Sequence, residues 1–140
     1  MVVEFYDFKI ETEAYCDIID ITSQVQDIIR DSNLKDGLVN VHVAGSTGAI
    51  STTEFEPGLV KHDIEEFLEK IIPYNANYKH HETWGDHNGA GHLRSFLMKT
   101  SQSFPFKNKK LLLGTWQQII YLENDEKPRR RKIILTLIGD

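Results

Sequence analysis

Hydrophobic residues recur along the chain at two periods, and these divide it into strands and helices. From Leu38 to Val43 the pattern alternates, with Val39, Val41 and Val43 on one side and Leu38, Asn40 and His42 on the other, which predicts a half-buried strand. Val60, Ile64, Phe67, Leu68 and Ile71 fall instead at helical spacing, with Lys61, Glu65, Glu66, Glu69 and Lys70 on the opposite side. That helix starts behind the Glu56-Pro57-Gly58 turn and stops at Pro73. An earlier helix is expected from Thr22 or Ser23, either of which would cap it, to about Asn33, with Val25, Ile28 and Ile29 as its apolar stripe. Residues 2–10 and 15–21 are rich in β formers and read as a hairpin turning at Glu11-Thr12-Glu13. Leu93, Phe96 and Leu97 support a short third helix, and between Tyr74 and Gly91 no period holds.

The last third reads as strands Ser101–Phe106, Leu111–Gln117, Gln118–Glu123 and Arg129–Ile138, with turns at Lys107–Lys110 and Asn124–Pro128. Tight turns join antiparallel strands, whereas parallel strands need long crossovers, so the fold class is α+β.

A chain of 140 residues that is 40% hydrophobic and 26% charged can bury one core, so residues 1–140 are expected to form a single domain. No apolar run approaches the roughly 20 residues of a membrane span, and the start lacks a basic then apolar leader, giving an expectation of no membrane partner and a cytoplasmic location. Cys16 is the only cysteine, which excludes an intrachain disulfide and multi-thiolate zinc sites and leaves packing as its role. A net charge of -5 counts against nucleic acid as a partner.

Candidate chemistry gathers in a few segments. Four of the six histidines, His80, His81, His87 and His92, lie within thirteen residues. Imidazole is both a metal ligand and the side chain whose ordinary pKa lies nearest neutrality, although a solvated loop with histidine caps fits the composition equally well. Asn88-Gly89-Ala90-Gly91 leads into the Leu93 helix, where free amides beside Arg94 would cradle an anion, or glycine would merely turn the chain. Gly45-Ser46-Thr47-Gly48 continues to Glu54 with small hydroxyl residues that suit phosphate recognition or a strand interior. Glu54 reads as a base or metal ligand, or as an exposed acid beside a turn. Gly114-Thr115-Trp116-Gln117 places a ring and an amide between apolar strand pieces, with Trp116 either core or pocket wall. Arg131 shares a strand face with Ile133, Leu135 and Leu137, which calls for an internal ion pair or a phosphate-directed role.

In this order and spacing, Gly45–Glu54 with Glu56-Pro57-Gly58, Tyr78-x-His80, Asp86-x-Asn88-Gly89, His92-Leu93-Arg94-Ser95, Leu113–Gln118, Pro128–Arg131 and the final Ile138-Gly139-Asp140 resemble the YjbQ family, also called the secondary thiamine-phosphate synthase enzyme family. The resemblance covers nearly the whole chain. It implies an antiparallel β-sandwich with two main helices and a short third, assembled as a homotrimer. The implied activity joins an aminopyrimidine diphosphate to a thiazole phosphate with release of pyrophosphate, in a transferase whose physiological substrate is open. By the same carry-over His80, Asp86, His92 and Glu54 are the catalytic set, and His80, His92 and Asp86 would bind a divalent ion such as Mg or Zn. Ser46, Thr47, Asn88, Gly89, Arg94, Thr115, Trp116 and Gln117 would bind the phosphorylated substrate, with Trp116 stacked on the pyrimidine. Many relatives carry His-Ser-His where this chain has Ala90-Gly91-His92, and His-Thr where it has Gly45-Ser46. The competing expectation is a non-catalytic trimer that binds a phosphorylated metabolite or a metal ion; a third is metal-dependent hydrolysis of the diphosphate.

Overall fold

The late strand Arg129–Gly139 (β8) sits inside a five-stranded sheet, paired along its whole length with the first strand, Val2–Thr12 (β1). Its other edge pairs with Gly37–Val43 (β3), which in turn pairs with Ser101–Lys107 (β5), and Lys110–Leu111 (β6) closes the edge. A second sheet has three strands: Asp17–Asp20 (β2) and Gly48–Thr53 (β4) flank Gln118–Glu123 (β7). Every pairing is antiparallel. The computed structural model describes residues 1–140, and none of its helices is long and apolar enough to cross a membrane.

The sheets pack face to face, and alternation decides what each strand contributes. Val39, Val41 and Val43 of β3, Ile133, Leu135 and Leu137 of β8, and Ile119 and Tyr121 of β7 point inward and are fully buried. Helix Thr22–Asp31 (α1) closes one side of this core with Val25 and Ile29. Its first turn is served by Asp20, whose Oδ1 accepts from the Thr22 N–H at 3.0 Å, rather than by Thr22 or Ser23. The outer face of the small sheet buries a smaller cluster, with Ile18, Ala49, Ile120 and Leu122 against Leu68 of helix Ile64–Ile71 (α2). Helices Lys79–Trp84 (α3) and Gly89–Met98 (α4) follow. The outer face of the large sheet has no layer over it, and Val3, Phe5, Leu38 and Ile138 are exposed there.

The α+β class and the sandwich are as expected; several local readings are not. No hairpin joins residues 2–10 to 15–21, because Ile10 belongs to the core between the sheets while Ile18 belongs to the outer cluster, so the chain must cross from one sheet to the other. The expected strand Leu111–Gln117 shrinks to Lys110–Leu111, and the Gly114–Gln117 loop is closed by its own bonds, from Gln117 N–H to the Gly114 carbonyl and from Gly114 N–H to Gln117 Oε1, each 3.0 Å. The segment Leu59–Asp63 winds as a π-helical turn before α2, and of the predicted stripe only Leu68 is buried. A helix, α3, occupies part of the region read as irregular.

Helix α4 reverses its expected orientation. It buries Gly89, Ala90, Gly91, Arg94 and Ser95 and exposes Leu93, Phe96 and Leu97. Close approach selects the small residues: a Cβ at Gly91 would stand 2.7 Å from the Asn124 carbonyl oxygen. Arg94 then reaches under the helix to finish α2. Its Nε and Nη2 donate to the Ile72 carbonyl at 3.0 and 2.8 Å, Nη2 meets Glu69 Oε1 at 2.5 Å, and the guanidinium lies 4.0 Å from the Tyr74 ring centroid. A cation on the final carbonyls of a helix satisfies groups that have no partner within it.

Candidate functional site

Strand β7 ends in Glu123, which is fully buried on the inner face below Tyr121. A lone carboxylate there would be strongly disfavoured. Five donors offset the desolvation: Arg131 Nε at 2.8 Å, Arg131 Nη2 at 2.6 Å, the Tyr121 hydroxyl at 2.8 Å, the Thr12 hydroxyl at 2.9 Å and the Asp125 N–H at 3.2 Å. The same guanidinium donates to Thr47 Oγ1 at 2.7 Å, and Thr47 donates to Asp125 Oδ2 at 2.8 Å. Asn88 Nδ2 and Arg129 Nη2, each at 3.2 Å, and the Lys127 N–H at 2.9 Å complete the shell of Asp125. Burial works to raise the Asp125 pKa, but bonds from the Lys127 N–H, Thr47, Arg129 and Asn88 outweigh it and hold the group below its ordinary value.

Above this polar floor stand two imidazoles, from α3 and α4. The His80 and His92 rings lie 4.6 Å apart, centroid to centroid, at a tilt of 47°. His80 Nδ1 is 3.2 Å from Asp86 Oδ1 but is not aligned to bond with it, and that buried nitrogen has no other partner. His92 Nδ1 is 3.1 Å from the Ser46 carbonyl oxygen. A carbonyl only accepts, so Nδ1 carries the proton and Nε2 of His92 is left as the lone-pair nitrogen. His81 takes a different job, its Nε2 accepting from the Gly89 N–H at 3.2 Å at the start of α4.

An open cavity of about 470 Å³ joins these parts, and of the predicted residues it brings together Ser46, Thr47, His80, Asp86, Asn88 and His92. Gly45, Trp84, Asp125, Arg129 and Arg131 complete it. Arg131 marks its own partner in the sequence, since a cation on an apolar strand face needs a buried carboxylate and an acidic stretch lies one turn upstream. Trp84 leaves no such signal.

The other predicted residues lie elsewhere. Arg94 does not reach the cavity, because its guanidinium is fully buried against Ile72, Glu69 and Tyr74. Gly89 is buried with Tyr78 above it, where an added Cβ would come within 2.7 Å of Tyr78 Cβ. Glu54 is exposed beyond the far end of β4, since Gly48 pairs with Glu123 at the cavity end and Thr53 with Gln118 at the other. Thr115, Trp116 and Gln117 precede Gln118 at that same far end, and Gln117 Nε2 donates to Thr52 Oγ1 at 3.3 Å. At about 3.3 Å per residue, the length of β7 puts them roughly 17 Å from the cavity. The metal assignment to His80, His92 and Asp86 also does not fit, for no three His, Cys, Asp or Glu side chains converge at a spacing that would hold a metal ion.

Residues 6–140 match the family model described as UPF0047 protein YjbQ-like. The chain belongs to the YjbQ-like UPF0047 family. Among its YjbQ-like relatives, a UPF0047 protein of Archaeoglobus fulgidus is 40% identical over 132 residues, spanning 94% of this chain and 99% of that one. A UPF0047 protein of Methanocaldococcus jannaschii is 38% identical over 135 residues, 96% and 94% of the two chains. Among solved structures, a YbjQ-like protein of unknown function from Sulfolobus solfataricus superposes with a TM-score of 0.92 at 32% identity, covering 99% of each chain. A YjbQ/UPF0047 protein from Clostridium acetobutylicum gives 0.86 at 34% identity over 95% and 99% of the two chains. The curled antiparallel sheets are thus the family's architecture.

Proposed function

We propose that the cavity is the active site of a transferase acting on small phosphorylated metabolites, of the type that joins an aminopyrimidine diphosphate to a thiazole phosphate. The pair of imidazoles 4.6 Å apart at its mouth, His92 held through Nδ1 on the Ser46 carbonyl and His80 with a buried, unpartnered Nδ1 beside Asp86, carries this reading. In the proposed step the methylene C–O bond breaks and pyrophosphate departs with the electron pair, while the thiazole nitrogen lone pair forms the new C–N bond. A leaving group of that charge needs donors and cations where the charge develops. Donation from the His80 imidazole beside Asp86 and from the partly exposed Arg129 would supply them, and the exposed Trp84 gives the pyrimidine a flat surface at the cavity rim, the part Trp116 is too distant to play. No step is routed through a metal ion.

The proposal includes assembly as a homotrimer in the cytoplasm, with the uncovered outer face of the large sheet as the contact surface. Exposed Phe5, Leu38, Val3 and Ile138 make that face more apolar than a solvated sheet face. Light scattering on purified protein should give three times 16.2 kDa.

Single-turnover incubation with the two phosphorylated halves, followed for thiamine phosphate and pyrophosphate, tests the chemistry. His80→Ala should lower the rate by about 100-fold or more, in the range of a lost acid or base, and His92→Ala, which removes the second imidazole of the pair, should lower it as well. Product formation at the same rate in both variants, or none in the unmodified chain, overturns the proposal. Stabilisation by pyrophosphate without turnover would instead favour a non-catalytic binder.

A further inference from the structure

The catalytic cavity has a neighbour. A second depression of about 430 Å³ adjoins it, and Gly45, Ser46 and His92 belong to the walls of both. Ser95, Phe96, Lys99 and Thr100 form the rest of the second.

The two differ in charge. In the first, each guanidinium already faces a carboxylate: Arg131 meets Glu123 at 2.6 Å and Arg129 meets Asp125 at 3.1 Å. The second has one ammonium, that of Lys99, and no carboxylate among its lining residues. An anion bound there would meet a cation that no carboxylate already faces. Lys99 Nζ also stands over the Phe96 ring, 4.9 Å from its centroid, and that residue is 73% exposed, so an aromatic surface open to solvent and the charge share one spot.

The backbone at Lys99 adds an independent observation. Lys99 caps α4 with φ at +76°, in the region that favours glycine, and is held there by its N–H on the Ser95 carbonyl at 2.9 Å and its own carbonyl accepting from Ile50 N–H at 3.1 Å. Glycine would relieve the strain; a long cationic side chain persists in its place, as strained residues do where the side chain has a task.

We propose that this depression is a second subsite, which takes a phosphate monoester carried on a flat ring, with the phosphate on Lys99 and the ring against Phe96. The inference rests on the reading of the first cavity as the site of a phosphorylated reactant and places the second reactant across the His92 wall from it.

Calorimetric titration of the full chain with phenyl phosphate and with inorganic phosphate tests it. The unmodified chain binds phenyl phosphate more tightly than inorganic phosphate. Lys99→Gly weakens phenyl phosphate by about tenfold or more while keeping or raising the unfolding midpoint, and Lys99→Arg stays within about threefold, as expected for loss and retention of a charge-assisted bond. Phe96→Leu removes the preference for phenyl phosphate over phosphate. The proposal is overturned if the unmodified chain binds neither probe, if Lys99→Gly binds as the unmodified chain does, or if Arg129→Ala loses as much as Lys99→Gly. Because these titrations need no turnover, binding that depends on Lys99 in a chain that makes no product would leave the subsite standing and remove only the transferase reading.

Discussion

Arg131 and Glu123 face each other from neighbouring strands of opposite sheets, 2.6 Å apart, with side chains 11% and 0% exposed. The pair ties the two sheets together at the cavity end, and the second nitrogen contact of Arg131 passes through Thr47 to Asp125.

Removing one partner leaves an uncompensated charge in the interior. Arg131→Met should destabilise the chain by about 3–5 kcal/mol in urea denaturation. The double variant Arg131→Met/Glu123→Leu should recover a large part of that loss; a double variant no better than the single would mean that the pair contributes attraction beyond its desolvation.

The acid limb of stability should carry a contribution from Asp125. Its folded pKa is lowered, so the folded state favours the ionised form. That stabilisation is present in full above the unfolded carboxylate value of about 3.9 and is lost as the pH falls through the lower folded value. Denaturation midpoints measured from pH 6 to pH 2 should therefore fall less steeply for Asp125→Asn than for the unmodified chain, from a lower starting point.

Gly91→Ala tests the close approach of α4. The new Cβ would meet the Asn124 carbonyl at 2.7 Å and Asn88 Oδ1 at 2.8 Å, so the helix must shift. A loss of about 1–3 kcal/mol is expected, as for overpacked interiors, together with changed His92 imidazole resonances in NMR spectra. Unchanged stability would show that α4 can slide.

Cys16 should be inert in the folded chain. Burial, and then the charge of Glu65, push its thiol up to about 12. A thiol-specific reagent at pH 8 should modify it only after denaturation, because the thiolate is the nucleophile. Rapid modification without unfolding would contradict its burial within the outer cluster.

How much was legible in the sequence depended on whether a pattern was local. Val39, Val41 and Val43 could be read correctly because a central strand imposes its alternation on its own residues. Helix α4 misled because its buried face is chosen by a neighbour: Gly91 yields to the Asn124 carbonyl and Arg94 finishes α2, leaving the apolar Leu93, Phe96 and Leu97 outside. The hairpin misled because a polar turn does not show that Ile10 and Ile18 enter different clusters. In the site, the family resemblance groups all the candidates together; the cavity gathers Ser46, Thr47, His80, Asp86, Asn88 and His92 and leaves out Glu54 and Thr115–Gln117. The register of β4 on β7 sends the two groups to opposite ends of the small sheet.

Strand β8 follows every other strand in chain order, yet it lies between β1 and β3 and delivers Arg129 and Arg131 to the cavity. During synthesis, β1 and β3 must therefore wait for it, without their shared partner, while the intervening residues emerge. Neither the large sheet nor the pocket floor can close early. Folding dominated by such distant pairings is slow, so the nascent chain spends longest in the form whose strand edges are open to other chains. Loss of the final eleven-residue strand would remove the sheet and the site in one event.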